Sequence, residues 1–348
     1  MQESILYRMA DANINRTVEG LRVLEDVCRF ILNNTRLVSV IKEWRQKIAV
    51  LPMATTKRLL WQRNSLQDSG KEIVPIKEAS LRDSASIVVA NSRRVQESLR
   101  VLEEIAKDLT MELDSNTYRE ARYVLYDIEK DILGRLLRKQ YQSTAGRLYV
   151  IVDTSVLPTN QILTATAAIL RSGVKMIQLR DKKMMHGQLL ELAVKMCQLC
   201  KEYDALFIVN DYADIAVLSQ AHGLHLGQQD LPASQARKIL PADAILGISI
   251  DTAEQAVQAE REGADYIAVG AIFGTSTKAI DILGIARLKE VLIATTLPVW
   301  GIGGIKTCNA CEVIAAGACG VCVVTAVIDQ PNIEQAATNF LQVISNCQ

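Results

Sequence analysis

The stretch FIVNDYADIAVLSQAHGLHLGQQD, Phe207 to Asp230, overlaps two apolar runs, Ala205–Val209 and Gly223–Leu226, and each run ends in amides and carboxylates. Asp211 follows the first run and Asp230 closes the segment after the second. A buried strand that stops in Asn-Asp or Gln-Gln-Asp is either turning into solvent or presenting ligands. The choice depends on whether both runs belong to one sheet and end at the same edge.

Working outward, the pattern recurs. Strand-like runs stand at 148–153 (LYVIVD), 174–180 (VKMIQLR), 205–211 (ALFIVND), 223–228 (GLHLGQ), 245–250 (ILGISI), 266–270 (YIAVG), 298–303 (PVWGIG) and 320–325 (GVCVVT), eight in all. Between them lie helical patterns such as QILTATAAILRSG and TAEQAVQAEREG, many closing on the glycine that ends helices. Near-continuous apolar strands alternating with helices predict a parallel sheet covered on its outside, and eight such units close into a (β/α)8 TIM barrel. An open doubly wound sheet is the alternative; eight repeats in about 200 residues favour closure. In a barrel all strands finish on one face, so Asn210, Asp211 and Asp230 converge at the C-terminal mouth.

The first part of the chain reads differently. DANINRTVEGLRVLED (Asp11–Asp26) and VANSRRVQESLRVLEE (Val89–Glu104) align without a gap at an offset of 78 residues. Asn13 matches Asn91, Arg16 matches Arg94, Glu19 matches Glu97, and Leu21–Glu25 matches Leu99–Glu103. Apolar residues at helical spacing predict an amphipathic helix in each copy. With further helical patterns at Leu37–Leu51 and Ser115–Leu137, this is a duplicated two-helix unit packed as a bundle. Its repeated polar set is either a shared anion site using Arg22 and Arg100 or a row of salt-bridged neighbours on a solvated face. LQDSGKEIVPIKEASLRDS between the copies reads as a loop. KQYQSTAG, Lys139–Gly146, separates the halves, giving an all-α domain over 1–140 and a barrel over 147–348.

Composition bounds the function. Of 348 residues 49% are hydrophobic, enough for a sizeable core, and Lys plus Arg equals Asp plus Glu at 39 each. That balance gives no global attraction to nucleic acid or an anionic membrane. Without a signal-peptide pattern or a membrane-length apolar segment, the expectation is a cytoplasmic protein with small-molecule partners; a homo-oligomer is compatible with this. The eight cysteines are then expected as reduced thiols. Cys308, Cys311, Cys319 and Cys322 superficially resemble a zinc site, but their central gap is too short for common ribbons, and buried thiols are the better reading. His222 and His225 read as structural.

At the mouth, two carboxylates with amides and no cysteine or histidine cluster favour a hard cation, and Mg2+ typically takes one or two carboxylates plus substrate phosphate. Arg180, Lys182 and Lys278 supply more positive charge than a metal site alone needs, which suggests a metal-bound pyrophosphate. Gly303-Gly304 and the segment around Thr325 suggest a second anion site after strands seven and eight, with Thr275, Ser276 and Thr277 able to add donors. Each loop alone could be a plain turn; their shared face makes the combination informative.

QLRDK, NDYADIA, GLHLGQQDLP, ILGIS, ADYIAVGAIFGTSTK, GIGGI and VVTA, in that order, resemble the thiamine-phosphate synthase family over nearly all of 147–345. The helical half is similar to an N-terminal extension of some members, a domain linked to hydroxymethylpyrimidine phosphate kinase activity. The resemblance implies joining of a pyrimidine pyrophosphate to a thiazole phosphate, giving thiamine phosphate and pyrophosphate. It implies that Gln178, Leu179, Arg180, Asp181, Lys182, Asn210, Ser249 and Lys278 hold the pyrimidine pyrophosphate. Of these, Arg180, Lys182, Ser249 and Lys278 would be catalytic, and Asp211 and Asp230 would bind Mg2+. Thr275, Ser276, Thr277, Gly304, Val324 and Thr325 would hold the thiazole phosphate. Thr325 stands where a serine is usual, and Ile250-Asp251 replaces a pair that usually contains histidine, which argues against the related thiazole tautomerase. A noncatalytic phosphate-binding barrel and a bifunctional enzyme with a kinase half are the alternatives.

Overall fold

A computed structural model describes residues 2–63, 83–108, 112–274 and 281–347. The chain forms two compact units that divide between Leu137 and Arg138. The division falls within a helix that ends at Thr144, inside the KQYQSTAG segment, Lys139–Gly146.

In the first unit α1 (Gln2–Asp26) runs into a π-helical turn at Val27–Ile31, followed by α2 (Thr35–Ala49), α3 (Met53–Trp61), α4 (Ser84–Ile105) and the part of α5 (Ser115–Thr144) up to Leu137. Asn34 caps α2 through the N–H of Leu37, and Asp83 caps α4 through that of Ser86, each satisfying an otherwise orphaned helix donor. The duplicated helices α1 and α4 pack on each other, burying Ala10, Ile14, Leu21 and Leu24 with Val88, Val95, Leu99 and Leu102. Gly20 allows the close approach: a Cβ there would lie 2.5 Å from Cγ2 of Val95. The repeat extends to polar detail. Asn13 donates to the carbonyl of Met9 at 2.8 Å and Asn91 to that of Ile87 at 2.9 Å. Buried Glu25 pairs with Arg45 of α2 at 2.9 Å, and buried Glu103 with Arg122 of α5 at 3.1 Å. Arg22 and Arg100 are more than half exposed and pair with carboxylates of their own helices, as the neighbour reading expects. Leu66–Ser84, read as a loop, lies mostly outside the described residues.

The second unit is a closed parallel barrel of eight strands in chain order. They are β1 (Leu148–Asp153), β2 (Met176–Arg180), β3 (Leu206–Asn210), β4 (Gly223–Leu226), β5 (Ile245–Ile250), β6 (Tyr266–Val269), β7 (Val299–Ile302) and β8 (Gly320–Val323). The covering helices are α6 (Ile162–Arg171), α7 (His186–Glu202), α8 (Ala213–Leu218), α9 (Ala233–Ile239), α10 (Ala253–Arg261), α11 (Gly284–Ala294), α12 (Ala310–Ala315), α13 (Thr325–Ile328) and α14 (Ile333–Ser345). Strand alternation sorts the side chains. Val150, Ile177, Phe207, Leu224, Leu246, Ile267 and Val321 point outward into the helix-covered core. Tyr149, Met176, Leu206, Ile208, Ile245, Tyr266, Trp300 and Cys322 fill the interior. Burying an aliphatic or aromatic side chain contributes about 1.5–3 kcal/mol, so the outer shell carries most of the barrel's stability.

One cysteine expectation is corrected. Cys311 at the start of α12 and Cys347 beyond α14 form a disulfide across 36 residues, with Cα atoms 5.2 Å apart, within the span such a bridge accepts. The two helices pack together, which local spacing does not reveal. Cys308 is an exposed thiol, whereas Cys28, Cys197, Cys200 and Cys322 are buried.

Candidate active site

The C-terminal ends of the strands gather the charged groups. Asp153 and Arg180 are register partners at the tops of β1 and β2. The Arg180 guanidinium sits on the Asp153 carboxylate, which also accepts from the N–H of Ser155 at 2.9 Å and its hydroxyl at 2.6 Å. Gln178, one pleat deeper, is buried and donates to the hydroxyl of Tyr149 at 2.5 Å. Leu179, between them, points outward into the shell beneath the helices, so its side chain does not reach the mouth.

Asp181 organises the next loop. Its carboxylate accepts from Thr154 and from the N–H groups of Lys183 and Met184, at 2.9 and 2.6 Å for the latter two. Burial opposes its charge, but these hydrogen bonds outweigh burial and hold its carboxyl below the usual range. Its side chain is therefore committed to the loop, whose turn delivers Lys182.

Lys182 extends from that loop to the Asp211 carboxylate. Asp211 follows β3 with φ +65°, a left-handed conformation that Asp tolerates better than most residues, and its N–H donates to the carbonyl of His225 at 2.8 Å. Asn210 at the end of β3 is nearly buried beside it. Asp230 closes a turn in which its Oδ2 accepts from the N–H of Gly227 at 2.7 Å. Burial raises the Asp211 carboxyl above its ordinary range; Lys182 opposes this, while contact with Asp230 reinforces it. The hydrogen bond to Asp211, followed by the charges of Asp211 and Asp230, raises Lys182 against its own burial. Lys182, Asp211 and Asp230 thus form one electrostatic unit. Among the described residues no three His, Cys, Asp or Glu side chains converge as metal ligands.

On the opposite arc, Ser249 of β5 lies 2.9 Å from Nε2 of His225, and its carbonyl accepts from Gln228 at 2.7 Å. After β7, Gly303 and Gly304 have φ +94° and +64°. A Cβ on Gly304 would lie 2.4 Å from the carbonyl oxygen of Gly274, so only glycine lets this loop approach the one after β6. Asn309 holds the Gly304 carbonyl at 3.1 Å. Val324 and Thr325 stand where β8 gives way to α13. Thr275, Ser276, Thr277 and Lys278 lie outside the described residues.

Sequence reading did not single out Asp153, Tyr149, Tyr266 or Gln228, and it assigned His225 only a structural part. For Asp153, Tyr149, Tyr266 and His225 the available signal is a polar side chain at an inward position of an apolar strand.

The family described as Thiamine monophosphate synthase matches residues 148–327, and the ThiD2 family matches residues 8–131. The chain is 39% identical to the thiamine-phosphate synthase of Synechococcus sp. strain WH7803 over 343 residues, covering 97% of this chain and 96% of the relative. It is 36% identical to the thiamine-phosphate synthase of Synechocystis sp. strain PCC 6803, covering 98% and 96%. Among solved structures, thiamine phosphate pyrophosphorylase from Pyrococcus furiosus superposes with a TM-score of 0.55 at 32% identity, covering 60% of this chain and 98% of that one. No helix among the described residues is long and apolar enough to cross a membrane.

Proposed function

The chain belongs to the thiamine-phosphate synthase family, and from that premise we propose which of its residues carry the reaction. It is a transferase of thiamine biosynthesis, joining 4-amino-2-methyl-5-(diphosphooxymethyl)pyrimidine to 4-methyl-5-(2-phosphooxyethyl)thiazole and releasing pyrophosphate.

The observation that carries the assignment of residues is the ion pair of Lys182 with Asp211 at the barrel mouth, with Asp230 near enough to act on both. Two facing carboxylates in a partly buried site hold excess negative charge that one lysine does not fully offset, a donor set suited to Mg2+. Asp211 and Asp230 would hold the ion. When bound, it would offset the negative charge of the pyrophosphate.

The protein's own groups do the rest. Lys182 and Arg180, each now resting on a carboxylate, are placed to turn toward the pyrophosphate as the carbon–oxygen bond breaks and charge gathers on the leaving group. Lys278 joins them in this assignment. Asn210, Gln178 and Ser249 orient the pyrimidine. Leu179 contributes through its backbone, and Asp181 acts through the loop that carries Lys182. Gly304, Val324 and Thr325, with Thr275, Ser276 and Thr277, hold the thiazole phosphate through backbone and hydroxyl donors. The thiazole nitrogen attacks the pyrimidine methylene carbon with its own lone pair, so no general base is needed and positioning dominates.

The test is mass-spectrometric detection of thiamine phosphate from the full chain supplied with Mg2+, the thiazole phosphate and the pyrimidine pyrophosphate. Product supports the reading, and its absence under conditions that preserve the fold overturns it. The separate ThiD2 match favours a second reading, a bifunctional chain whose helical unit phosphorylates the pyrimidine monophosphate. Product from the monophosphate plus ATP would support it.

A further inference from the structure

Below the mouth, five side chains from five strands form a continuous hydrogen-bonded line through the barrel interior. Nε2 of Gln178 (β2) is 2.5 Å from the hydroxyl of Tyr149 (β1), which is 3.0 Å from the hydroxyl of Tyr266 (β6). That hydroxyl is 3.0 Å from Nδ1 of His225 (β4), whose Nε2 is 2.9 Å from Oγ of Ser249 (β5). Gln178, Tyr149, Tyr266 and His225 are all buried. Gly247 makes room for the line, because a Cβ there would lie 2.0 Å from Cζ of Tyr266.

We propose that this line is a one-way donor relay that fixes the Ser249 hydroxyl as a hydrogen-bond donor into the mouth, with Tyr149, Tyr266 and His225 as positioning residues. The inference rests on the reading of Ser249 as a substrate-binding residue.

The direction follows from counting protons. An amide nitrogen only donates, so the Tyr149 oxygen accepts from Gln178 and its single proton goes to Tyr266. Tyr266, having accepted, passes its own proton to Nδ1 of His225. Nδ1 as acceptor carries no proton, which leaves a neutral ring with its proton on Nε2. Nε2–H donates to Ser249, whose own proton is then directed away from the interior. Gln228 engages only the Ser249 carbonyl and leaves the hydroxyl's direction unchanged. The substrate atom meeting Ser249 must therefore be an acceptor, a ring nitrogen or a phosphoryl oxygen, and not an N–H group. In a buried, low-dielectric interior such a chain polarises along its length, so removing one member is felt at the far end.

The chain has three histidines, so the His225 tautomer can be read in the full-length protein by labelling histidine rings with 15N and recording long-range 1H–15N correlations. His225→Gln identifies the signal. The expected result is a neutral ring protonated at Nε2. Tyr266→Phe removes the donor to Nδ1, should shift the ring toward the Nδ1–H form, and should raise KM for the pyrimidine pyrophosphate roughly fivefold with little change in KM for the thiazole phosphate. Ser249→Ala should lower activity and leave the tautomer unchanged. An Nδ1–H ring in the wild-type protein overturns the relay whether or not the variants fold. In a protein that makes thiamine phosphate, that result refutes the relay and leaves the synthase reading standing. An Nε2–H ring in a protein without synthase activity supports the relay and refutes the reading.

Discussion

Nζ of Lys182 rests on Oδ2 of Asp211, so the loop after β2 neutralises the carboxylate that closes β3. Asp230 adds its negative charge beside the same carboxylate, and a divalent cation would compete with the lysine for it. Lys182→Met should therefore lower the Mg2+ concentration giving half-maximal rate by several-fold, while raising KM for the pyrimidine pyrophosphate. Asp211→Asn should move the Mg2+ requirement upward by about tenfold or more, the loss expected for one charged partner. Initial rates across a Mg2+ titration measure both, and an unchanged requirement in Lys182→Met would show that lysine and cation do not share Asp211.

Asp153 prepares Arg180. It is almost fully buried, while the Arg180 side chain is 29% exposed. Replacing Asp153 by Ala leaves a partly buried guanidinium unpaired and removes the acceptor for two groups of Ser155. Losing one partner of such a pair costs about 3 kcal/mol, somewhat less here because Arg180 can still reach water. Chemical denaturation should show that loss. Asp153→Asn, which keeps an acceptor, should retain more stability but lower kcat by loosening Arg180.

Much of this fold is legible because the barrel strands are near-continuous apolar runs separated by glycine-terminated helices. Asp211 and Asp230 stand out because polar clusters interrupt those runs at one end. Asp153 ends LYVIVD by the same rule, but its role depends on the register that places it beside Arg180, and register between parallel strands is set by packing. The interior relay is harder still. Tyr149 and Tyr266 are 117 residues apart, and each alone reads as a core aromatic. The Cys311–Cys347 bridge likewise depends on helix packing that no local spacing encodes. In the helical unit the repeat predicts two like helices in a bundle, but it encodes neither the partners of Glu25 and Glu103, which lie on helices outside the aligned segments, nor the pairing of α1 with α4.

That pairing can be tested by a packing cycle. Gly20→Ala places a methyl group 2.5 Å from Cγ2 of Val95, and a stiff β-branched side chain between two helices has little room to yield. The expected cost is about 1–3 kcal/mol, the range for overpacking. Val95→Ala alone should also destabilise, by leaving a cavity. Combined, the two should cost less than the sum of the singles, with a coupling of about 1 kcal/mol. Additive losses in thermal or chemical unfolding would mean that α1 and α4 do not meet at Gly20.

His222 lies at the start of β4, where Nδ1 accepts from the N–H of Phe207 at 3.1 Å and its ring meets Tyr141 edge-on. Burial pushes its pKa down and Lys201 adds to this, while Asp204 and Asp243 oppose both without reversing the shift. A folded-state pKa below the unfolded value of about 6.5 means that the unfolded chain takes up the proton first as pH falls. The stabilisation is present above that value and is lost as pH drops toward the lower folded-state pKa. Between about pH 7.5 and about pH 5.5, the wild-type barrel should lose a few tenths to about 1 kcal/mol more stability than His222→Gln, which has no proton to bind. Denaturation curves at the two pH values measure the difference, and equal losses would show that His222 is as easily protonated in the folded barrel as in the unfolded chain.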